Sequence, residues 1–351
     1  MPKHIYRPVF IKGDKTVAKF LRKERYIIYT DDFVRQVKEL FFIENKEYID
    51  SNKEAICKSD AFKNFAKKEQ KNYKYIYYPW NHNLVKCASE NDFFKLRTNR
   101  NQDLITAREQ IKLYNRKIAV FGLSVGSNIV YTLTQAGISK NIIIADFDEL
   151  DTTNLNRIQA GVHQIGLNKT IVCARRIYEE NPYAIVRLLQ KGINPKILDK
   201  LLKARKIDCI VEEVDSLPIK ISIRHLARKY KIPVVMVTDN GDGIVIHVER
   251  YDLGYKKIFE KKDAYWRRKI DGIHSRADIG NIIINDIVGG PKKVDPKMLA
   301  SIPKVINRKL VSWPQLGSAA ILGGVAVTIA IKNIFLGRKK KLFLREYIRL
   351  P

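Results

Sequence analysis

From residue 97 onward the sequence alternates short apolar runs with helix-length amphipathic segments, and this alternation constrains the fold more than any other feature. Residues 117–121, 142–146, 207–214, 234–238 and 244–249 are rich in β-branched apolar side chains, as strands are. Helical periodicity fills 127–135, 168–180 and 219–230 between the first four of them. Strands joined by helices of that length build a mostly parallel sheet with helices on both faces, so the expectation is an α/β, Rossmann-like domain. Ligands of such sheets sit at the carboxyl ends of the strands.

The first of these strands runs into Gly122-Leu123-Ser124-Val125-Gly126-Ser127-Asn128, and a helical pattern starts at once. A strand, a glycine turn and a helix N-terminus aim backbone N–H groups and a partial positive charge at one point, which suits a phosphate. Gly122, Gly126 and Ser127 are therefore candidate nucleotide contacts. The spacing is Gly-x-x-x-Gly and not Gly-x-Gly-x-x-Gly, so a tight turn without a ligand remains an alternative for the loop alone. The second strand ends at Asp146, where a carboxylate can bond the ribose hydroxyls of an adenosine. That pairing serves NAD and ATP alike.

Residues 1–90 read differently. They are aromatic and lysine-rich, with amphipathic helical stretches at 33–42 and 54–67 and a tyrosine-rich, strand-like piece at 73–80. A small accessory α+β domain is expected there. Residues 251–311 read as irregular and helical, broken at Gly289-Gly290-Pro291. Residues 316–336 are apolar and long enough to span a membrane, yet their glycines, hydroxyls and internal Lys332-Asn333 suit a buried core helix better. No membrane partner is expected.

Lysine and arginine total 65 against 37 acidic residues, a net charge of +28. Such a charge raises nucleic acid as a partner. The basic residues are spread along the chain, however, with only short runs at Lys67-Lys68 and 338–341. The four cysteines, Cys57, Cys87, Cys173 and Cys209, include no CxxC pair, so neither structural zinc nor a disulfide framework is expected and a reducing cytoplasm fits. The opening MPKHIYRPVF lacks the apolar core of a secretion signal. The six histidines show no metal-ligand spacing.

Beyond Asp146 the chain continues Phe147-Asp148-Glu149-Leu150-Asp151-Thr152-Thr153-Asn154-Leu155-Asn156-Arg157. With Asp146, this run resembles the D-x-D-x-x-x-x-x-N-L-x-R segment of the ThiF/MoeB family of ubiquitin-activating-enzyme-like adenylyltransferases. Gly166-Leu167-Asn168-Lys169 is similar to the family's G-x-x-K, and Arg97-Thr98-Asn99-Arg100-Asn101-Gln102 to its R-Y-x-R-Q. Glu109-Gln110 with Lys112-Leu113 resembles its Gln-x-x-Leu helix, and Val211-Glu212-Glu213-Val214-Asp215-Ser216 its D-x-x-D-N. The resemblance covers residues 95–337 with the motifs in the family's order. Within the family the chain is similar to the ThiF-like halves of bacterial proteins joined to a nitroreductase domain, sharing the GLSVG, VEEVDSL and SWPQLGS stretches. No such domain follows Pro351, so a stand-alone version is expected whose substrate need not match theirs.

The resemblance implies an adenylation domain over residues 91–351 that binds ATP and Mg²⁺ and transfers AMP to a carboxylate. It places Asp146 on the ribose, Asp148 and Asn154 beside the nucleotide, Arg157 and Lys169 on the phosphates, and Asp215 as the catalytic, Mg²⁺-binding aspartate. Arg100 would reach the triphosphate of the neighbouring subunit of a homodimer. Attack of a carboxylate on a phosphate brings like charges together, so cations around the phosphates carry such a reaction.

The implied acceptor is the C-terminus of a peptide or ubiquitin-like protein. Alternatives are a tRNA nucleoside carboxylate, as in tRNA threonylcarbamoyladenosine dehydratases, and a catalytically inactive nucleotide-binding module. Three departures stand out. The glycine loop is one residue shorter than the family's G-x-G-G-x-G-S, Glu212 and Ser216 replace the first aspartate and the asparagine of D-x-x-D-N, and the family's zinc-binding CxxC pairs are absent. Cys173 and Cys209, in a helix and a strand, are expected to be buried and not to form thioesters.

Overall fold

The computed structural model describes residues 5–24 and 26–349. His4 and the first four residues of the N-terminal segment read above lie outside the described residues. The chain divides into two compact units. The first runs to Gln110 and takes in Tyr178–Tyr183, and the second comprises Ile111–Ile177 and the chain from Ala184 on. The division falls beyond residue 90 because helix Glu90–Thr98 belongs to the first unit's own core, where Leu96 packs against Phe33, Val37 and Ala88.

In the first unit β1 (Val9–Ile11), β2 (Ile28–Asp31), β3 (Tyr73–Tyr78) and β4 (Asn83–Ala88) form a sheet in the order β1-β3-β4-β2. The tyrosine-rich piece is β3, which pairs antiparallel with β4 and buries Tyr75 and Tyr78. The stretch read as one helix over 54–67 is two, Lys53–Lys58 and Asp60–Glu69. Ser59 is extended between them, and its hydroxyl accepts the Phe62 N–H at 3.3 Å, capping the second helix.

The second unit is built on β5 (Lys117–Phe121), β6 (Asn141–Ala145), β7 (Ile185–Leu189), β8 (Cys209–Glu212), β9 (Val234–Asn240), β10 (Gly243–Glu249) and β11 (Phe343–Ile348). Their order is β11-β10-β9-β8-β5-β6-β7, with parallel pairing from β7 across to β9 and antiparallel pairing for β10 and β11. The mostly parallel α/β architecture agrees with the sequence. The chain winds outward from β5 through β6 to β7, then returns to place β8 on the other side of β5. In sheets of this kind such a reversal marks the ligand-binding side, at the carboxyl ends of the strands, here those of β5 and β8.

Helix Gly317–Leu336 is the one helix among the described residues long and apolar enough to cross a membrane, and 56% of its apolar window is buried within the fold. It packs on helix Val125–Gln135 and on β9, and its glycines set the distance. Gly323 lies against Val237 and Val125, and a Cβ on Gly324 would stand 2.8 Å from the Asn128 carbonyl oxygen. The Thr132 and Thr328 hydroxyls bond across the same contact at 2.7 Å.

On the sheet's other face the fully buried Arg224 bridges Glu212 at 2.6 Å and Glu249 at 2.5 Å. Lys220 adds a second cation to Glu212 at 3.0 Å. Burial alone would raise the Glu212 carboxyl, but these two cations hold it below the usual range. The family aspartate that Glu212 replaces is thus a structural carboxylate here, long enough to reach the arginine.

Candidate active site

Gly122 sits at φ +89 with its N–H donated to the Ala145 carbonyl at 2.9 Å. A Cβ there would lie 2.3 Å from the Glu213 carbonyl oxygen, so glycine is needed for conformation and for space alike. Helix Val125–Gln135 starts two residues after the next position, Leu123. The shortened loop therefore still delivers a helix N-terminus to the end of β5. Ser127 is wholly buried, and its hydroxyl donates to the Ser124 carbonyl at 2.8 Å. Its side chain braces the turn from within.

Asp146 follows β6 and is buried. Its Oδ2 accepts the Leu123 N–H at 2.7 Å and its Oδ1 accepts the Asp148 N–H at 2.9 Å. Burial raises its carboxyl, and the two backbone donors work against that rise. The carboxylate thereby pins the glycine turn to the end of the neighbouring strand, and each oxygen retains a lone pair for a further donor. Asp148 is exposed and pairs with Lys169 at 2.8 Å. Lys169 is itself buried, and its backbone N–H donates to the Asp148 carbonyl at 2.9 Å.

The segment after β6 is locked by its own side chains. Asn154 is buried, and its Oδ1 accepts the Asp151 N–H at 3.1 Å while its backbone carbonyl accepts from Arg157 and Ile158. This carries Arg157 to the glycine turn, where its Nε donates to Ser124 Oγ at 2.9 Å. Nη1 donates to the Thr153 carbonyl at 3.2 Å and to Asn156 Oδ1 at 2.9 Å. From the other side Asn128 Nδ2 donates to the Arg157 carbonyl at 2.8 Å. Partial burial lowers the Arg157 pKa, and the negative charges of Asp239 and Asp215 oppose that.

Asp215 is exposed in the short loop between β8 and helix Leu217–Tyr230. Gly122, Gly126, Asp146, Asp148, Asn154, Arg157, Lys169 and Asp215 thus gather around the carboxyl ends of β5, β6 and β8. Arg100 belongs to the first unit, where it is exposed in the short turn Asn99–Asn101.

Sequence reasoning missed Asp239. It stands near the end of β9, only 6% exposed, and burial pushes its carboxyl up to about 6 against the opposing influence of Gln315 and Arg157. Gln315 Nε2 donates to its Oδ2 at 3.2 Å, while Oδ1 is buried without a hydrogen bond. The available signal was its place directly after the apolar run at 234–238, in the neighbourhood where such sheets bind ligands.

Cys87, Cys173 and Cys209 are buried and all four cysteines are free. Burial pushes the Cys173 thiol up to about 12 and also raises that of Cys209. Neither is a thiolate nucleophile at neutral pH.

A sheet that reverses its winding at β5, with a glycine turn, an arginine and two carboxylates at the reversal, defines a Rossmann-like α/β protein with a phosphate-ready loop. The chain belongs to the ThiF family, which matches it over residues 96–342. It is 35% identical over 270 residues to the uncharacterized protein MT1398 of Mycobacterium tuberculosis, covering 75% of this chain and 36% of that relative. It is 31% identical over 128 residues to the tRNA threonylcarbamoyladenosine dehydratase of Escherichia coli, covering 36% of this chain and 46% of the relative. The chain therefore spans less than half the length of these relatives. Among solved structures, E. coli MccB with ATP shares the fold at a TM-score of 0.50 and 18% identity, over 86% of this chain and 80% of that one.

Proposed function

We propose that the protein is an ATP- and Mg²⁺-dependent adenylyltransferase that activates a carboxylate as an acyl-adenylate. One carboxylate oxygen of the acceptor attacks the α-phosphorus in line, a new P–O bond forms, and the bond to the bridging oxygen breaks so that its electron pair leaves with pyrophosphate. The acceptor is already ionised, so no general base is required. The observation that carries the reading is the bond from Arg157 to Ser124, which fixes a guanidinium against the phosphate-ready turn.

In this reading the turn at Gly122 and Gly126 receives the phosphates, Asp146 receives the ribose, and Lys169 reaches the phosphates by leaving its partner Asp148. The exposed carboxylate of Asp215 fits Mg²⁺, which is commonly held by one or two carboxylates together with substrate phosphates and water. Bound there, the ion would neutralise charge on the phosphate oxygens. Arg100 supplies its cation in trans within a homodimer. The acceptor class we favour is a peptide or ubiquitin-like C-terminus in a reducing cytoplasm.

A tRNA acceptor is the second reading, favoured by the net charge of +28 and by the name of the dehydratase relative. Incubation of the protein with ATP and each acceptor class, followed by mass spectrometry for acyl-adenylate and assay of released pyrophosphate, tests the proposal. Adduct on peptide supports it. Adduct only on tRNA, with salt-sensitive binding, moves the assignment to the second reading, and ATP binding without any adduct leaves a binding module.

A further inference from the structure

A cavity of about 180 Å³ opens beside the end of β9 in the second unit. Its wall is mostly apolar, with Ile284, Val288, Val294, Met298 and Trp313, and Asp239 and Gln315 are among its few polar residues, beside Thr238 and Asn240. A dry cavity of ~150 Å³ is large enough to take benzene, so this one accommodates a large apolar side chain.

The polar part of the wall is incompletely paired. Asp239 is 6% exposed and its Oδ1 has no hydrogen-bond partner, although the other oxygen accepts from Gln315. A buried carboxylate oxygen left without a donor is costly, and a ligand that brings an N–H removes that cost. Asp239 also interacts with the charge of Arg157, the residue assigned above to the phosphates. Gln315 is tied to the same segment, since its carbonyl accepts Asn156 Nδ2 at 2.8 Å. The cavity therefore adjoins the reacting end of the site.

An occupant must combine an apolar group, an N–H donor and a carboxylate within a few bonds of one another. A C-terminal amino-acid residue has all three on one carbon. Resting on the adenylation reading, we infer that the cavity selects the acceptor's C-terminal residue: a branched aliphatic or aromatic side chain fills it, that residue's N–H donates to Asp239 Oδ1, and its carboxylate faces the phosphates. A chain ending in glycine leaves the cavity empty and is a poor acceptor.

Calorimetry on the full chain, loaded with a non-hydrolysable ATP analogue, tests this with N-acetyl-phenylalanine, N-acetyl-leucine, N-acetylglycine and 3-phenylpropionate as probes. The first two are expected to bind on the order of 100-fold more tightly than N-acetylglycine. Met298→Trp or Val294→Phe, each filling the cavity, should remove that advantage while analogue affinity is kept, and whichever variant folds serves. Asp239→Ala should weaken N-acetyl-phenylalanine relative to 3-phenylpropionate, which lacks the N–H, so that the ratio of their affinities falls. Equal binding of the acetylated probes, or indifference to the filled cavity, overturns the inference.

Pyrophosphate exchange separates it from the reading it rests on. Exchange as fast with glycine-ended as with phenylalanine-ended peptides removes the pocket's role and keeps adenylation. Selective probe binding without exchange by any peptide keeps the pocket and removes adenylation.

Discussion

Arg157 Nε donates to Ser124 Oγ at 2.9 Å, which ties the guanidinium we propose for the phosphates to the glycine turn we propose as their cradle. Removing the arginine should cost more than removing its tether. Arg157→Ala is expected to lower kcat for AMP transfer by ~10² to 10³, and Ser124→Ala by roughly tenfold through lost positioning. Steady-state pyrophosphate release measures both. An Arg157→Ala protein as active as the parent would place the phosphates elsewhere.

The turn itself is a stability element. Gly122→Ala puts a Cβ where the backbone is at φ +89 and 2.3 Å from the Glu213 carbonyl. Destabilisation of ~2 kcal/mol or more is expected, visible as a lowered urea midpoint at unchanged slope.

Asp239 should make stability depend on pH in a set direction. Its carboxyl, ordinarily near 3.8, is pushed up to about 6 by burial, so the folded state holds the proton more tightly than the unfolded chain does. The stabilisation this gives is fully present below the unfolded pKa and is lost as pH rises through about 6. Asp239→Asn removes the charge. It is expected to be more stable than the parent by ~1 to 3 kcal/mol near pH 7.5, with the gain gone by about pH 4. Denaturant unfolding at both values checks the sign, and a loss of stability at the higher pH would refute it.

Arg224 is the sole bridge between Glu212 and Glu249 among the ion pairs of the described residues. Arg224→Met leaves two buried carboxylates short of a partner and should destabilise by ~3 to 5 kcal/mol. Adding Glu249→Gln should restore part of that, because Glu249 then carries no unpaired charge while Glu212 keeps Lys220. A urea series on the single and double variants reads the difference.

The strands most legible in the sequence are those with least exposure to water. Residues 118–121 are wholly buried, and their unbroken apolar run needs no alternation to be recognised. Strands β7 and β11 escaped because they form the two edges of the sheet, where Arg187 and then Arg345 and Glu346 interrupt the apolar pattern. Ser59 shows another limit, since one capped, extended residue splits a continuous amphipathic stretch.

Among the candidate site residues, Gly122 and Asp146 could be read from the strand, turn and strand end that carry them, whereas Asn154 and Arg157 were legible only through the family resemblance, an asparagine and an arginine in a loop being ordinary by themselves. Asp239 could be read neither way. An acid at a strand end is ordinary, and what makes this one unusual is burial by Gln315 and the walls at 283–298, which lie far off in sequence.

Adenylation is tested by ATP–pyrophosphate exchange with the parent protein and with Asp215→Asn, each offered peptides of defined C-terminus in the presence of Mg²⁺. Acceptor-dependent exchange by the parent is expected, reduced by ~10² or more in the variant. Equal exchange by both proteins would contradict the role given to Asp215, and ATP binding without exchange under every acceptor would contradict adenylation itself.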